Sequence, residues 1–520
     1  MSKRVSLVAI NPSGLHNTSL YLLKSYALKF EKIKNNIDLK LHFFDSLVMP
    51  QSNQISVFVR EIIDDMSSIV CFSCYCWNID IVLNISRQLK QIRPNIKILL
   101  GGPEASGTYD TLLSNYDFID YIIYGEGEIA FSEYLKYLIG LLKNKRQIHN
   151  FVYRENGKVQ KTSSILLDNL DDIPHLFYNG IVDANEIGDS LYSFETKRGC
   201  EYNCSYCLHH KGSHIIREYS LNYVFKELSS LLKSKLKYIW IIDPCFNENE
   251  DRSIKILEYI DKNNKKNIEF GFEIRNETMS ENFIKTICSM KWIKFIAVGL
   301  QTLNKVSLDS ICRRLDFEKF EENIFLLQKY GNNITIHVDL IYGLPNDNID
   351  EYKKSIDYVL SKKCEIFTQV LKVLPGSQLF LDRHRYGLVI DKVAPYELIA
   401  SDTFTYEDLC RAKNINAVLN LYQADEKIKT LLNNTSNIRN IALSDLFDLL
   451  GKSIWEKGYY NLFKNNFEFR ISKIINILID EINEIFKEPF INENILNDDY
   501  WIKPDWGSIA PVSKKEFCEE

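Results

Sequence analysis

The sequence predicts an α/β protein with an N-terminal doubly wound parallel sheet, a central partial (β/α)6 barrel and a helical C-terminal domain. Two series of short apolar runs alternate with amphipathic segments of helical period, over residues 1–145 and again over residues 191–385. Long helical periods replace the strands over residues 386–520, and a chain of 520 residues is too long for one core. We therefore expect three domains, with residues 146–190 as a linker between the first two.

Five strands make up the first series. RVSLVAI, LKLHFFD, SIVCFSCY, NIKILLGG and DYIIYGEGE are short apolar runs, and amphipathic helical segments separate them. Such an alternation favours a parallel sheet with helices on both faces, whose ligands lie beyond the carboxyl ends of the strands. The loops at those ends, residues 11–14, 74–78, 101–104 and 125–128, are therefore candidates for ligand binding.

The linker and the tail carry weaker patterns. FVYRENGKVQK predicts a small hairpin that turns at Glu155-Asn156-Gly157. In the tail, IALSDLFDLLGKSIWEKGYY and RISKIINILIDEINEIFKE have helical periods. The Trp-containing end, DDYWIKPDWGSIAP, is expected to pack back on the body of the protein.

Six strands with helices between them form the second series. They are SFETKRG, KYIWIIDPCF, IEFGFEIR, FIAVGLQT, ITIHVDLIYGLP and IFTQVLKVLPG. Six units fall short of the eight that close a full barrel, so an open, partial barrel is expected. Functional groups then belong at the carboxyl ends of these strands, and a cluster of cysteines follows the first of them.

Cys200, Cys204 and Cys207 offer three thiolates from one short loop. Three protein ligands leave one iron of a 4Fe-4S cluster open, and the amino and carboxylate groups of S-adenosylmethionine (SAM) can chelate that iron. An electron-transfer ferredoxin would instead saturate its cluster with a fourth cysteine. A zinc site completed by His209 or His210 stays open as an alternative, as does chance spacing.

The CxxxCxxC spacing of these cysteines resembles the signature of the radical SAM superfamily. The flanking residues 196–199 and the aromatic Tyr206 match as well, and the resemblance covers roughly residues 194–385. It implies that the reduced cluster cleaves SAM to a 5'-deoxyadenosyl radical, which abstracts a hydrogen atom from an unactivated carbon or acts with a second cofactor. Tyr206 could pack on the adenine, or be an ordinary loop aromatic.

Further positions follow from the same resemblance by strand order. GLQT and DLIYGLP are similar to the fourth and fifth strand motifs of the superfamily, and LPGS to its sixth-strand end near the adenine. The alternative for each side chain is a structural polar group that caps a barrel strand. The side chains expected within reach of SAM or substrate are Asp243, Glu273, Gln301 and Asp339.

Ahead of such a core, the first sheet resembles the cobalamin-binding domain of B12-dependent radical SAM enzymes. Glycines in its loops would let the backbone approach a large flat corrin ring, since Cβ atoms would clash with it. The whole chain also resembles an uncharacterised subgroup with a helical C-terminal extension. The residues expected to contact the corrin are Ser73, Cys74, Tyr75, Gly101, Gly102, Gly125, Glu126 and Gly127.

One departure concerns the lower face of the cobalt. Many cobalamin domains carry a D-x-H-x-x-G loop whose histidine binds cobalt from below, but the loop after the first strand here reads NPSGLHN. His16 is therefore expected to be a surface residue, which leaves the cofactor possible and its lower ligand open.

A rival idea is a second cluster on Cys71, Cys74 and Cys76, because methylthiotransferases carry one on their N-terminal domain. Cys71 and Cys74 lie three residues apart on one strand, so their side chains should face opposite sides of the sheet. We expect these thiols to be core or corrin-facing groups instead.

Cobalamin beside a radical generator favours methylation of an unactivated carbon or phosphorus. One SAM would methylate the cobalamin and a second would be cleaved at the cluster, since homolytic Co–C transfer can deliver a methyl group to a carbon radical. Two alternatives stay open: a rearrangement, ring contraction or cyclisation without methyl transfer, and a non-catalytic sensor of SAM or metal.

The composition restricts partners and location. The net charge of −6 argues against general nucleic-acid binding, and no stretch reaches the ~20 apolar residues that a membrane span needs. The expected partners are a small-molecule or peptide substrate and an electron donor such as flavodoxin or ferredoxin. Twelve cysteines are too sparse for a secreted disulfide scaffold, and the N-terminus lacks a signal-peptide pattern, so a cytoplasmic location is expected.

Overall fold

The computed structural model describes residues 3–12, 18–45, 52–187, 191–209, 215–331, 333–459, 469–487 and 501–502. His16, His210 and most of the Trp-containing end lie outside these residues. Within the described part of the chain, no helix is both long enough and apolar enough to span a membrane.

The first sheet is built on five parallel strands. They lie in the spatial order β2-β1-β3-β4-β5, a flavodoxin-like order of the doubly wound fold, whose switch point falls between the first and third strands. A ligand crevice is expected at the carboxyl ends of those two strands. The strands are β1 (Lys3–Asn11), β2 (Ile37–Asp45), β3 (Ile69–Ser73), β4 (Lys97–Gly101) and β5 (Tyr121–Ile123).

Helices cover both faces of this sheet, which confirms the predicted doubly wound arrangement. Alternate residues of β1 enter separate cores: Val8 and Ile10 join one, and Val5 and Leu7 join the other. The helices are α1 (Thr18–Leu28), α2 (Glu31–Asn36), α3 (Ser52–Asp64), α4 (Ile79–Ile92), α5 (Pro103–Asn115) and α6 (Glu128–Leu138).

The predicted hairpin forms, and its strands β6 (Phe151–Glu155) and β7 (Lys158–Lys161) extend the first sheet. β6 pairs antiparallel with β5, and Phe151 is fully buried in one of the two cores. Asn156 and Gly157 both have positive φ at the turn, as a tight hairpin requires. This part of the 146–190 segment therefore belongs to the first sheet and is more than a linker.

Six parallel strands form the second sheet, in the order β8-β11-β12-β13-β14-β15. The first and last strands are edges, so the barrel is partial and open, as predicted. Between its strands lie α7 (Leu221–Leu231), α8 (Glu250–Asn263), α9 (Glu281–Ser289), α10 (Lys305–Ser310), α11 (Phe317–Tyr330) and α12 (Ile349–Ser361), and α13 (Gln378–Asp382) follows the last strand. The strands are β8 (Tyr192–Phe194), β11 (Tyr238–Ile241), β12 (Glu269–Ile274), β13 (Ile293–Gln301), β14 (Thr335–Tyr342) and β15 (Glu365–Val370).

The first barrel strand is shorter than the sequence predicts. It ends at Phe194, and β9 (Lys197–Arg198) instead pairs antiparallel with β10 (Arg217–Glu218). The break arises because the carboxylate of Asp243 accepts hydrogen bonds from the backbone N–H groups of residues 196 and 197.

Burial alternates along the barrel strands. On β14, Ile336, Val338 and Leu340 are buried in the core under the helices, while His337 and Asp339 are half-buried on the other face. Since successive side chains of a strand point to opposite faces, His337 and Asp339 face the barrel lumen.

The C-terminal region is helical and shares its core with the barrel. Leu419 and Phe447 pack in the same apolar cluster as Ile356 of α12. Two short ladders accompany the helices: β16 (Val389–Ile390) with β17 (Leu398–Ala400), and β18 (Phe469–Arg470) with β19 (Trp501–Ile502). The helices are α14 (Tyr406–Ala424), α15 (Glu426–Arg439), α16 (Leu443–Glu456) and α17 (Ile471–Phe486).

Candidate cofactor site at the domain interface

The loop that carries the three cysteines follows β9. Gly199 precedes Cys200 with φ of +95°, and a Cβ there would overlap the carbonyl oxygen of Ile215. Only glycine fits this approach, so the backbone fixes where the loop begins. Within the loop, the N–H of Cys207 donates to the carbonyl oxygen of Cys204 at 3.0 Å. This turn brings the backbone of Cys207 back towards that of Cys204.

The surroundings of these thiols bear on what they can bind. Burial raises the pKa of Cys200, and that of Cys207 to about 12, so metal binding must displace their protons. Among the described residues, no three His, Cys, Asp or Glu side chains converge on one metal-ion position. A zinc ion needs its ligands around one point, whereas a cluster takes one thiolate per iron. The choice between a cluster and a zinc ion at this loop stays a prediction, and His210 lies outside the described residues.

Asp243 follows β11 and is almost fully buried. One carboxylate oxygen accepts from the N–H of Thr196 at 2.7 Å and from that of Lys197 at 3.2 Å, and the other accepts from the Thr196 hydroxyl. Burial raises the pKa of this carboxyl to about 6. Both oxygens are thus used to anchor the segment that leads into the cysteine loop, and a contact with SAM stays a prediction.

Two carboxyl groups occupy the barrel lumen. Glu273 on β12 pairs in register with Ala297, and Asp339 on β14 pairs with Gly299, so only small side chains of β13 lie between them. Neither carboxylate has a hydrogen-bond partner among the described residues. Burial raises the pKa of Glu273 to about 7 and that of Asp339 to about 8, the latter also through repulsion by Glu273. The lumen therefore presents two acceptors that the fold itself leaves unused.

Gln301 ends β13 at a bulge, with φ of +72°. Its amide folds back over Gly299, where a Cβ would overlap the amide nitrogen, and its buried Oε1 has no hydrogen-bond partner in the part of the chain that the structure describes. Arg313, which no sequence motif singled out, donates to the carbonyl oxygen of Gly299, and its positive charge offsets part of the rise in the pKa of Asp339. Its position could not be read from the motifs, because it lies twelve residues beyond Gln301 in a connecting loop.

The loops after β3 and β4 pack on each other. The N–H of Cys74 donates to the carbonyl oxygen of Gly101 at 2.7 Å, and that of Glu104 donates to Cys74 at 3.2 Å. Gly102 has φ of +98°, and a Cβ there would lie 2.6 Å from the Cys74 carbonyl oxygen. Gly102 is thus required by contact between two loops of this chain, and the approach of a corrin is not needed to explain it.

The loop after β5 holds the two domains together. Glu126 is 7% exposed and forms an ion pair with Arg217 at 2.5 Å, while Arg198 contacts Glu126 at 3.7 Å and Glu128 at 2.7 Å. Gly125 has φ of +68°, and Gly127 lies against Leu23. The predicted corrin contact of Glu126 stays a prediction, since its carboxylate is engaged by arginines of the barrel.

A direct backbone contact joins the first domain to the barrel near the cysteines. A Cβ on Gly107 of α5 would overlap the carbonyl oxygen of Pro375, in the loop after β15. On the other side of that loop, Leu379 N–H donates to the carbonyl oxygen of Ser205, within the cysteine loop, at 2.8 Å. The hydroxyl of Tyr396 adds a further link to the first domain, where it donates to Glu104. The edge of the first sheet thus lies one loop away from the cysteines.

Three families match separate parts of the chain. The radical SAM superfamily matches residues 194–359, the B12 binding domain matches residues 41–135, and a protein of unknown function (DUF4080) matches residues 384–505. The chain combines a radical SAM domain with a B12-binding domain. Its helical C-terminal region is the part that the family of unknown function covers.

Curated proteins match this chain at low identity. The cobalamin-dependent radical SAM methyltransferase TokK of Streptomyces tokunonensis is 22% identical over 407 residues, 74% of this chain and 58% of TokK. An uncharacterised methyltransferase of Pyrococcus horikoshii is 26% identical over 310 residues, 57% of this chain and 65% of that protein. The chain thus spans 58 to 65% of the length of these relatives.

Solved structures show the same fold. The cobalamin-dependent SAM radical enzyme OxsB, with aqua-cobalamin and SAM bound, aligns with a TM-score of 0.64 at 15% identity, over 97% of this chain and 77% of OxsB. The radical SAM methyltransferase TsrM of Kitasatospora setae, with cobalamin and a 4Fe-4S cluster bound, aligns with a TM-score of 0.59 at 15% identity. That alignment covers 76% of this chain and 78% of TsrM.

The cysteines of the B12-binding domain lie apart from one another. Cys71 is buried in the core on one face of the sheet and Cys74 in the core on the other, as the strand spacing predicts. Tyr75 and Trp77 follow them, with their rings stacked 4.4 Å apart and Trp77 40% exposed. Opposite orientations leave these cysteines unsuited to a second cluster, whereas the stacked rings offer a flat apolar surface after β3.

Proposed function

We propose that this protein is a cobalamin-dependent radical SAM enzyme that methylates an unactivated carbon. The observation that carries the proposal is the chain of contacts from Gly107 through Pro375 to Ser205, which connects the B12-binding sheet to the cysteine loop. Two cofactors that act on one substrate must lie on facing edges of their domains, and this contact meets that requirement.

Cys200, Cys204 and Cys207 would hold a 4Fe-4S cluster and leave its fourth iron to SAM. When bound, the cluster and SAM supply a 5'-deoxyadenosyl radical. The unpartnered carboxylates of Glu273 and Asp339 are suited to accept hydrogen bonds from SAM hydroxyl or ammonium groups. Gln301 Oε1 supplies a further buried acceptor, and SAM would satisfy groups that are otherwise costly to bury.

The B12-binding domain would hold cobalamin at the carboxyl ends of β1 and β3. The flat pair of Tyr75 and Trp77 favours a large planar ligand at this edge. When bound, cobalamin supplies a methyl group that can be transferred to a carbon radical. The tight contact at Gly107 would help exclude water from the space between the cofactors.

The test is anaerobic reconstitution of the full chain with iron, sulfide and hydroxocobalamin. We expect absorption spectra of both cofactors, and dithionite-driven turnover of SAM to 5'-deoxyadenosine and S-adenosylhomocysteine. A rearrangement or cyclisation would yield 5'-deoxyadenosine without S-adenosylhomocysteine, and its product would not gain a CH2 group. A sensor would release neither nucleoside, and either result would contradict the proposal.

A further inference from the structure

An exposed surface surrounds the cysteine loop on its outer side. It consists of residues 305–314, which include α10, and residues 378–387, which include α13 and the turn that follows it. We call it the carrier surface. Apart from Arg313, which turns into the barrel, the residues of these segments have no part in the function proposed above.

Backbone hydrogen bonds tie both segments to the residue between Cys204 and Tyr206. The N–H of Ser205 donates to the carbonyl oxygen of Ile311 at 2.9 Å, and its own carbonyl accepts from Leu379 at 2.8 Å. The hydroxyl of Tyr386 donates to the carbonyl oxygen of Ser310 at 3.3 Å and so joins the two segments. Both segments of the carrier surface therefore contact the cysteine loop directly at Ser205.

The carrier surface is basic in an acidic protein. Arg313 is buried and donates to Gly299 inside the barrel, so it does not contribute to this surface. The two segments otherwise carry four Lys or Arg and two Asp, a net charge of +2, whereas the whole chain has a net charge of −6. Arg314 and Arg385 are exposed, and within the described chain neither forms an ion pair with a carboxylate. Asp382 is engaged by Gln378, at 2.9 Å. The positive charge of this surface is thus not neutralised internally.

Apolar side chains stand among these cations. Leu381 is 67% exposed and Val306 is 62% exposed. Leu381 lies two residues after Leu379 and Val306 five residues before Ile311, and both Leu379 and Ile311 form backbone hydrogen bonds with Ser205. Exposed apolar residues on the same segments as exposed cations are typical of a surface that another protein covers for short periods.

We propose that the carrier surface docks a small acidic one-electron carrier protein of the flavodoxin type. This inference rests on the proposed function, because radical formation requires a reductant for the cluster. One electron passes from the reduced flavin to the oxidised cluster, so the flavin is oxidised by one electron and the cluster is reduced by one. No bond forms or breaks in this step.

The observations favour this partner for two reasons. The cations complement an acidic carrier, and complementary charge raises association rates more than affinity. The exposed Leu381 and Val306 suit the apolar edge of a flavin that such a carrier presents. Electron-transfer complexes are small and short-lived, so a patch of two short segments is large enough.

The test compares two charge reversals in the full chain. Arg314→Glu with Arg385→Glu changes the carrier surface. Lys233→Glu with Lys235→Glu makes the same change in total charge at exposed lysines that precede β11, at the opposite end of the barrel. Binding of oxidised flavodoxin to cluster-free protein is measured by calorimetry, and reduction of the reconstituted cluster by flavodoxin hydroquinone by stopped-flow absorption.

We expect the carrier-surface reversal to weaken flavodoxin binding and slow cluster reduction by roughly tenfold or more, with loss of the salt dependence. The lysine reversal should change both by less than about twofold, because it lies far from the docked carrier. Dithionite needs no docking, so it should reduce the cluster and drive SAM cleavage equally in all three proteins.

Other outcomes separate the two proposals. Equal effects of the two reversals, or no effect of either, would overturn the docking surface while dithionite-driven SAM cleavage upholds the proposed function. Slower reduction by an acidic ferredoxin but not by flavodoxin would assign the surface to another carrier and overturn the proposal as stated. No SAM cleavage with dithionite in the unaltered protein would overturn both. Leu381→Ser should weaken binding without altering its salt dependence.

Discussion

The polar groups at the carboxyl ends of the strands differ between the two α/β domains in whether they have partners within the chain. In the barrel, Glu273 and Asp339 enter the lumen without a hydrogen-bond partner among the described residues, and Gln301 buries an unpaired oxygen. In the first sheet, Glu126 is engaged by arginines and Cys74 bonds to the neighbouring loop. The barrel thus has polar side chains available to bind a ligand, whereas the polar groups of the first sheet take part in loop packing and domain contact. A ligand of the first sheet would be recognised mainly by shape and backbone.

The largest effect is expected from the cysteine loop. Replacement of Cys200, Cys204 or Cys207 by Ala should abolish both cluster assembly and SAM cleavage. Three thiolates hold three irons of the cluster and leave the fourth for SAM, and two thiolates do not hold the cluster. Iron and sulfide content and electron paramagnetic resonance of the reduced protein measure this. Cys312→Ala, at an exposed cysteine of the carrier surface, is the matched control and should retain the cluster. A full cluster in any of the three variants would refute the assignment.

The next effect concerns the ion pairs of the first sheet. Glu126→Gln should lower the free energy of unfolding by about 1–3 kcal/mol, because it removes the charge that pairs with the part-buried guanidinium of Arg217. Denaturant unfolding of the cluster-free protein measures the change. Glu155→Gln removes the exposed pair with Arg146 and should change stability very little. If the two variants had the same free energy of unfolding, the ion pair of Glu126 would not stabilise the fold. Its carboxylate would then be available to a ligand, as the carboxylates of the barrel lumen are.

A smaller effect is expected at the contact between the domains. Gly107→Ala places a Cβ against the Pro375 carbonyl and should cost about 1–3 kcal/mol through overpacking, although alanine favours a helix. Affinity for hydroxocobalamin should fall while iron content is kept, because the cysteine loop is untouched. Asp110→Ala, at an exposed position of the same helix, should leave both unchanged. Unaltered cobalamin affinity in Gly107→Ala would show that the contact does not shape the corrin site.

A last effect concerns the pH dependence of stability. In the folded protein the pKa of Glu273 is raised to about 7 and that of Asp339 to about 8, above the ordinary values of 4.5 and 3.8. The folded state then binds more protons than the unfolded chain, so stability falls as pH rises from about 4 to about 8. Glu273→Gln with Asp339→Asn should flatten this dependence in denaturant titrations of cluster-free protein. Asp110→Asn with Glu258→Gln, both at exposed positions, should keep the pH dependence of stability. An unchanged slope in the Glu273→Gln with Asp339→Asn variant would show that the pKa values of the lumen carboxyl groups are not raised in the folded protein.

The cysteines and the strand-end residues can be located from the sequence, because short local patterns mark their positions. The spacing of Cys200, Cys204 and Cys207 and the alternation of strands and helices both lie within short windows. The same patterns misjudged the end of the first barrel strand, and they predicted the hairpin of residues 151–161 without its pairing to the first sheet. Both errors have one cause: the pairing of a strand depends on residues distant in sequence, here Asp243 and β5. The domain boundaries and the cofactor roles of the strand-end residues stay predictions.

The order of residues by itself determined the α/β class, the open six-stranded barrel and the set of three thiols. These follow from hydrophobic period and ligand spacing, which are properties of neighbouring residues. Only the tertiary structure decided that Glu126 meets Arg217, that Arg313 reaches Gly299, and that Gly107 touches Pro375 beside the cysteine loop. Such contacts join residues that lie up to hundreds of positions apart. Their geometry is set by how whole domains pack, which no local pattern contains.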